Sequence, residues 1–271
     1  MILVDGSPSG LVPASDRGLN YGDGLFETLR LHAGRLPLLG LHLARLEEGC
    51  RRLGLSWPGE DVLRDEVARV AAAGEEGVVK ILLTRGDSGR GYAPAGEGRS
   101  RRVVSLHALR PPPEGPVEIG VCDARLGRNP ALAGLKHTSR LEQVLGAREA
   151  AGRGWFDGLM RDDTGAVVEA TRHNVFLHVG GRLVTPPLRE CGVEGVMRAL
   201  AIRAAAAAGL DCAEAPVGVG DLADAREGFL TNAVAGVVPV DILAGRPLPG
   251  HPAARAVAAA LRPLGVSWLA A

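Results

Sequence analysis

Of the 31 lysines and arginines in this 271-residue chain, only Lys80 and Lys136 are lysines. Chemistry that needs a primary amine therefore has two candidates. Lys80 lies in Gly77-Val78-Val79-Lys80-Ile81-Leu82-Leu83, a strand-like run in which a lysine faces solvent or snorkels at an edge. Lys136 lies in Leu132-Ala133-Gly134-Leu135-Lys136-His137, a largely apolar stretch just ahead of a predicted helix. Apolar surroundings disfavour the ammonium form, so an amine there gains the nucleophilicity a Schiff-base lysine requires.

Other reactive residue types offer less. Cys50, Cys122, Cys191 and Cys212 lie far apart without C-x-x-C spacing, which argues against a zinc site or a disulfide framework. They read as reduced and structural. The seven histidines show no metal-ligand spacing such as H-E-x-x-H, so no metal is expected. Gly86-Asp87-Ser88-Gly89 has the look of a hydrolase nucleophile loop, but in glycine-rich sequence it arises readily by chance and the surrounding context is missing. The same loop lacks the Gly-Lys-Ser/Thr of a phosphate-binding P-loop.

Elements that must position these residues follow from periodicity. Asp5-Gly6 is a hairpin turn within residues 1 to 12, and Asn20 to Gly24 is a second glycine-rich corner ahead of a strand from Leu25 to Leu31. Leu39, Leu43, Leu46, Cys50 and Leu53 predict an amphipathic helix ended by Gly54, with Arg45 beside its apolar stripe. A second helix after Trp57-Pro58 is expected to turn Val62, Val67 and Val70 to the core, and two β-rich runs follow at Gly77 to Arg85 and Arg101 to Leu109.

The proline-rich segment 111–116 is the clearest linker and is taken as the boundary between a smaller domain, 1–110, and a larger one, 117–271, that contains Lys136. The larger domain is expected to hold a strand at Val117 to Arg125 and a helix from about Ser139 to Ala151. Hairpins turn at Asp163-Thr164-Gly165 and Gly180-Gly181, and a helix runs from Gly195 to Gly209. Strands at Glu227 to Asn232 and Val237 to Leu243 precede a closing helix from His251 to Leu261. The fold class is α/β with much antiparallel sheet (α+β).

Acidic residues also number 31, so the formal net charge is zero and no global field recruits nucleic acid or a membrane. With no apolar stretch near 20 residues and no signal-peptide pattern, the chain reads as cytoplasmic, with a small-molecule substrate.

Several blocks carry a family resemblance. Ser15-Asp16-Arg17-Gly18, Tyr21-Gly22-Asp23-Gly24-Leu25-Phe26-Glu27-Thr28 and Leu41-His42-Leu43-Ala44-Arg45-Leu46 resemble the N-terminal signature of the fold-type-IV aminotransferases and lyases that use pyridoxal 5'-phosphate. Arg125 to Pro130, Leu132 to His137 and Arg140 to Val144 resemble the lysine segment of its aminodeoxychorismate lyases, and Thr84 to Tyr92 resembles their substrate loop.

The resemblance implies two α/β domains with the cofactor at their interface, a homodimer, and a Schiff base on Lys136. By the same likeness Glu169, in the segment that runs to Asn174, pairs with the pyridine nitrogen. Arg45, Gly195, Val196, Thr231 and Asn232 serve the phosphate, Arg90 and Tyr92 the substrate carboxylates, and Phe26 and Thr28 line the pocket. The implied activity is conversion of 4-amino-4-deoxychorismate to 4-aminobenzoate and pyruvate in folate biosynthesis. The alternative is an aminotransferase for D-amino or branched-chain amino acids. His173 departs from the pattern, since relatives commonly carry a smaller residue there, and its packing beside Glu169 is left open.

Overall fold

The computed structural model describes residues 1–87, 89, 91–94, 98–110 and 117–266. The proline-rich linker 111–116, Ser88 and Arg90 lie outside the described residues. The chain divides into two compact units, one of Met1–Arg110 with Leu135–Ser139 and one of Pro111–Gly134 with Arg140–Ala271.

Unit 1 is built on β1 (Ile2–Val4), β2 (Ser7–Pro8), α1 (Arg17–Tyr21), β3 (Gly24–Leu31), α2 (Leu39–Leu53), α3 (Glu60–Ala71), β4 (Gly77–Thr84) and β5 (Arg101–His107). The strands form one sheet in the order β2-β1-β5-β4-β3, antiparallel throughout. Alternation sets its faces: Leu25, Glu27, Leu29 and Leu31 are buried, while Phe26, Thr28 and Arg30 between them are half-buried. Leu43, Leu46 and Cys50 of α2 and Leu63, Val67 and Val70 of α3 complete the core on the buried face. A Cβ on Gly49 would come within 2.7 Å of the Leu25 side chain, so glycine is what lets α2 approach β3 so closely. Gly54, at φ +60°, ends α2 as its spacing predicts. The expectation for Val62 is overturned: it is 42% exposed and Leu63 is buried in its place. Residues 63, 67 and 70 follow helical spacing, whereas a five-residue step from 62 to 67 turns about 140° off that stripe.

Unit 2 comprises β6 (Glu118–Leu126), α4 (Leu141–Gly152), β7 (Asp157–Asp162), β8 (Val167–Ala170), β9 (Asn174–Val179), β10 (Arg182–Thr185), α5 (Val196–Ala207), β11 (Cys212–Glu214), β12 (Glu227–Asn232), β13 (Gly236–Pro239), β14 (Ile242–Leu243), β15 (Arg246–Pro247) and α6 (Pro252–Leu261). Two sheets run β11-β10-β9-β12-β13 and β15-β14-β6-β7-β8. Their shared core centres on Val175, Leu177, Leu230 and Leu159, and Phe176 stacks on Phe229 at 4.8 Å. The single strand expected from Val237 to Leu243 is two. Pro239 ends β13, the Asp241 amide donates to the Val117 carbonyl, and β14 joins β6 in the other sheet.

Lys136 groups with unit 1, although the linker reading put it in the second domain. The Phe26 amide donates to the Lys136 carbonyl at 3.0 Å, the Thr138 amide to the Gly24 carbonyl at 2.9 Å, and Leu25 bridges to His137. These long-range pairings add residues 135–139 to the edge of β3, which sequence spacing does not reveal. Among the described residues no helix is long and apolar enough to cross a membrane.

Candidate active site

The side chain of Lys136 extends over the ring of Phe26, its Nζ 4.4 Å from the centroid. Phe26 and Thr28 share the outward face of β3, and Lys80, directly opposite Thr28 on β4, places its own Nζ 5.4 Å from the same ring. Lys80 is exposed, as its strand position predicts, but both lysines of the chain converge on one aromatic face. A cation over an aromatic ring is held by the ring quadrupole.

On the opposite face of β3 stands a charge cluster whose assembly the sequence reading missed. Glu27 is 1% exposed; its Oε1 accepts from Arg45 Nε at 2.8 Å and its Oε2 from Arg45 Nη2 at 2.5 Å and His42 Nδ1 at 2.6 Å. Burial alone would raise the Glu27 carboxyl, but the Arg45 and His42 charges and their hydrogen bonds outweigh it and hold it at about 2. The signal was available. A carboxylate at an inward position between Leu25 and Leu29 must find a partner, and His42 and Arg45 are neighbours three apart on α2.

Arg17, 2% exposed, was not singled out as a site residue either. Its guanidinium donates to the carbonyls of Gly91 and Tyr92, each at 2.7 Å, and its backbone amide to Gly86 O at 3.0 Å, so one residue ties both ends of this loop. Tyr92 is held there by its backbone with its side chain 87% exposed, against the edge of Tyr21.

In unit 2, Glu169 is buried on β8 and its Oε2 accepts from Val193 N at 2.9 Å and Asn174 Nδ2 at 3.3 Å. Asn174 pairs across β9 and β12 with Thr231, whose buried hydroxyl has no hydrogen-bond partner among the described residues. A Cβ on Gly195 would stand 2.1 Å from Asn174 Oδ1, so a larger residue there would displace the side chain that contacts Glu169. Gly195 leads into α5, whose N-terminus has no side-chain cap and no acidic residue in its first turn. Its Val196 end carries the unmet N–H groups and positive dipole end that favour an anion. Asn232 is placed differently: its Oδ1 accepts from Val234 N and Ala235 N at 2.9 and 2.7 Å, closing its own turn.

These residues fit the cofactor that the resemblance implies. The uncapped α5 terminus and the unsatisfied Thr231 hydroxyl suit a phosphate, and the anchored Glu169 carboxylate suits a protonated ring nitrogen. No group of side chains that could hold a metal ion occurs among the described residues. Burial pushes the Cys50 and Cys191 thiols up to about 12 and Cys122 to about 11, which removes them as nucleophiles.

The role of His173 is also visible. Its Nδ1 lies 2.6 Å from Asp157 Oδ2, while Asp157 Oδ1 accepts from Gly158 N, Thr171 N and the Thr171 hydroxyl. Asp157 thus fastens the 171–173 turn that joins the strands of Glu169 and Asn174. Burial alone would raise the Asp157 carboxyl, but the bond and charge of His173, with Thr171 and Arg172, hold it below its usual value. A carboxylate depressed in the folded state contributes stability that is present above the unfolded value near pH 4 and lost as pH falls through the folded value. His173→Ser should therefore raise the Asp157 carboxyl and move acid unfolding, followed by circular dichroism, upward by about half a pH unit. A midpoint unmoved or lowered would show that His173 does not sustain that charge.

Known proteins resemble this chain over nearly its whole length. The family model described as amino-transferase class IV matches residues 24–243. A 4-amino-4-deoxychorismate lyase from Pseudomonas aeruginosa, known from its crystal structure, is 44% identical with a TM-score of 0.90, the match covering 97% of this chain and 98% of that one. An aminodeoxychorismate lyase of Vibrio harveyi is 35% identical over 245 residues, 89% of this chain and 90% of the relative. A bifunctional aminodeoxychorismate lyase / D-amino acid transaminase of Mycobacterium tuberculosis is 30% identical over 279 residues, 95% of this chain and 93% of the relative.

Proposed function

Because this chain belongs to the class IV aminotransferase family, we propose that it is a pyridoxal-phosphate-dependent lyase converting 4-amino-4-deoxychorismate to 4-aminobenzoate and pyruvate. The observation that carries the lyase over a transaminase is the 44% identity to the Pseudomonas aeruginosa lyase across 97% of the chain.

Pyridoxal phosphate, when bound, supplies a ring able to take up the electron pair left when a C–H bond beside the substrate nitrogen breaks. The chain supplies the rest. Lys136 would hold the cofactor through its amine, and its Nζ would be the base that takes up that proton. The pair left at carbon would then form the third double bond of the substrate ring as the C–O bond to the enolpyruvyl group breaks, the enol oxygen leaving with that bond's electrons. A proton delivered to the methylene carbon of the departed enolpyruvate would complete pyruvate. Lys136 Nζ is held over the Phe26 ring, and the same amine would serve both transfers. In this reading Glu169, its carboxylate fixed by Asn174 and Val193 N, would keep the ring nitrogen protonated, and Arg45, Thr231 and the Gly195-Val196 terminus would each be a donor for the phosphate. The substrate carries two carboxylates. Arg90 and Tyr92 are assigned to them from the sequence, and Lys80, beside the ring that carries Lys136, is a further cation for the same duty. A homodimer in the cytoplasm, serving folate biosynthesis, completes this reading.

Incubating the purified protein with aminodeoxychorismate tests it. Pyruvate and 4-aminobenzoate should form in equal amounts. The Mycobacterium tuberculosis relative, bifunctional by its description, favours a second reading in which amino groups also move from D-amino acids. Transfer from D-alanine or branched-chain amino acids without 4-aminobenzoate would overturn the lyase and leave the family intact.

A further inference from the structure

Glu27 has no part in the roles assigned above, yet it is buried and accepts three hydrogen bonds from Arg45 and His42. It sits on the buried face of β3 between Leu25 and Leu29, where an apolar side chain would complete the core cluster. Replacing a buried ion pair by well-packed apolar residues is often neutral or stabilising, so core stability alone does not account for a carboxylate there.

Its geometry does. Glu27 meets the Nε and Nη2 edge of Arg45 with both oxygens, the side-on arrangement that fixes the plane of a guanidinium. Glu27 is itself braced by His42 Nδ1 at 2.6 Å. Since a carboxylate only accepts, that contact requires the proton on Nδ1, which fixes the histidine's donor edge. His42 and Arg45 lie one turn apart on α2, so one helix clasps the carboxylate from two positions.

We propose that Glu27, braced by His42, is a positioning residue for Arg45, setting the guanidinium plane so that a phosphate meets donors already oriented. The proposal rests on the reading of Arg45 as a phosphate ligand. A flexible arginine loses rotamer freedom when it captures an anion; one locked beforehand does not. The lock should therefore act on phosphate recognition and spare the rest of the cofactor.

Dissociation constants for pyridoxal phosphate and for pyridoxal, which lacks the phosphate, separate the two. Glu27→Gln should weaken pyridoxal phosphate about tenfold while pyridoxal stays within about twofold, because only the former uses the oriented donors. Arg45→Ala should erase the same preference, and adding Glu27→Gln to Arg45→Ala should change it no further, as for residues that act as one unit. If Glu27→Gln does not fold, Glu27→Asp reads the same ratio, since it keeps the charge but is one methylene short of the side-on contact. Equal weakening of both ligands, no weakening of either, or additivity in the double variant would overturn the proposal. An Arg45→Ala protein that keeps the full preference for pyridoxal phosphate would instead remove the phosphate role of Arg45, and the proposal with it. Thermal unfolding of each apoprotein completes the test: a loss of phosphate preference that only tracks a lowered Tm across the variants marks Glu27 as merely structural.

Discussion

Lys136→Ala is expected to abolish formation of 4-aminobenzoate, lowering kcat by about 10^4 or more, because one substitution removes both the covalent tether and the proton carrier. The fold should be retained, since residue 136 joins the edge of β3 through its backbone carbonyl, which alanine keeps. Borohydride reduction of the wild type should fix the cofactor on the peptide that contains Lys136 and on no other. Lys80 is the stringent control: it is the chain's only other lysine and its ammonium rests on the same Phe26 ring. Lys80→Ala should leave the reducible link intact. Label recovered on Lys80, or on neither lysine, would sink the assignment of Lys136.

That control was not foreseeable from spacing. Residues 80 and 136 are far apart in sequence, and their meeting on Phe26 depends on the β3/β4 register and on backbone pairing of residues 135–139. What was legible is what local periodicity and turn chemistry specify: the α2 stripe with Gly54 at its end, the hairpins at Asp163 to Gly165 and Gly180-Gly181, and the alternating faces of β3. Between the adjacent apolar residues Val62 and Leu63, the helical spacing to Val67 and Val70 favours Leu63, the residue that is buried. The break at Pro239 was readable in principle, because proline, with no amide to donate, is confined to edge strands and strand ends, and it closes the edge strand β13.

The candidate site divides the same way. Glu169 and Asn174 were found through family resemblance, and their contact adds the physical reason for their spacing, a five-residue interval bridging β8 and β9 around the 171–173 turn. Arg17, Glu27, His42 and Asp157 were not found as site residues, because each acts by orienting another group. Such residues become visible only when burial and partners are known. A charged residue at an inward strand position is the exception, and Glu27 shows that this signal merits a search for partners before a structure exists.

Glu169→Gln is the second substitution with a large expected effect, and the existing contacts predict its character. Oε2 of Glu169 accepts from the Val193 amide and from Asn174 Nδ2, so a glutamine in the same place must turn its carbonyl oxygen toward those donors. Its NH2 group is then what faces the ring nitrogen. A donor there stabilises the unprotonated ring, whereas the carboxylate stabilises the protonated one, so the substitution inverts the preference while preserving shape. Cofactor binding should persist within about tenfold, since phosphate contacts and the covalent link are untouched. Turnover should fall by about 10^2 or more, because a charge-assisted contact worth about 3 kcal/mol is lost where negative charge develops. The loss should appear in kcat with little change in KM, as for an interaction made chiefly in the transition state. Asn174→Ala should reproduce a milder version, since Val193 N still holds the carboxylate. Unchanged kcat in Glu169→Gln would show that the ring nitrogen is governed by another group, and would return Glu169 to a structural tie between β8 and the Val193 segment.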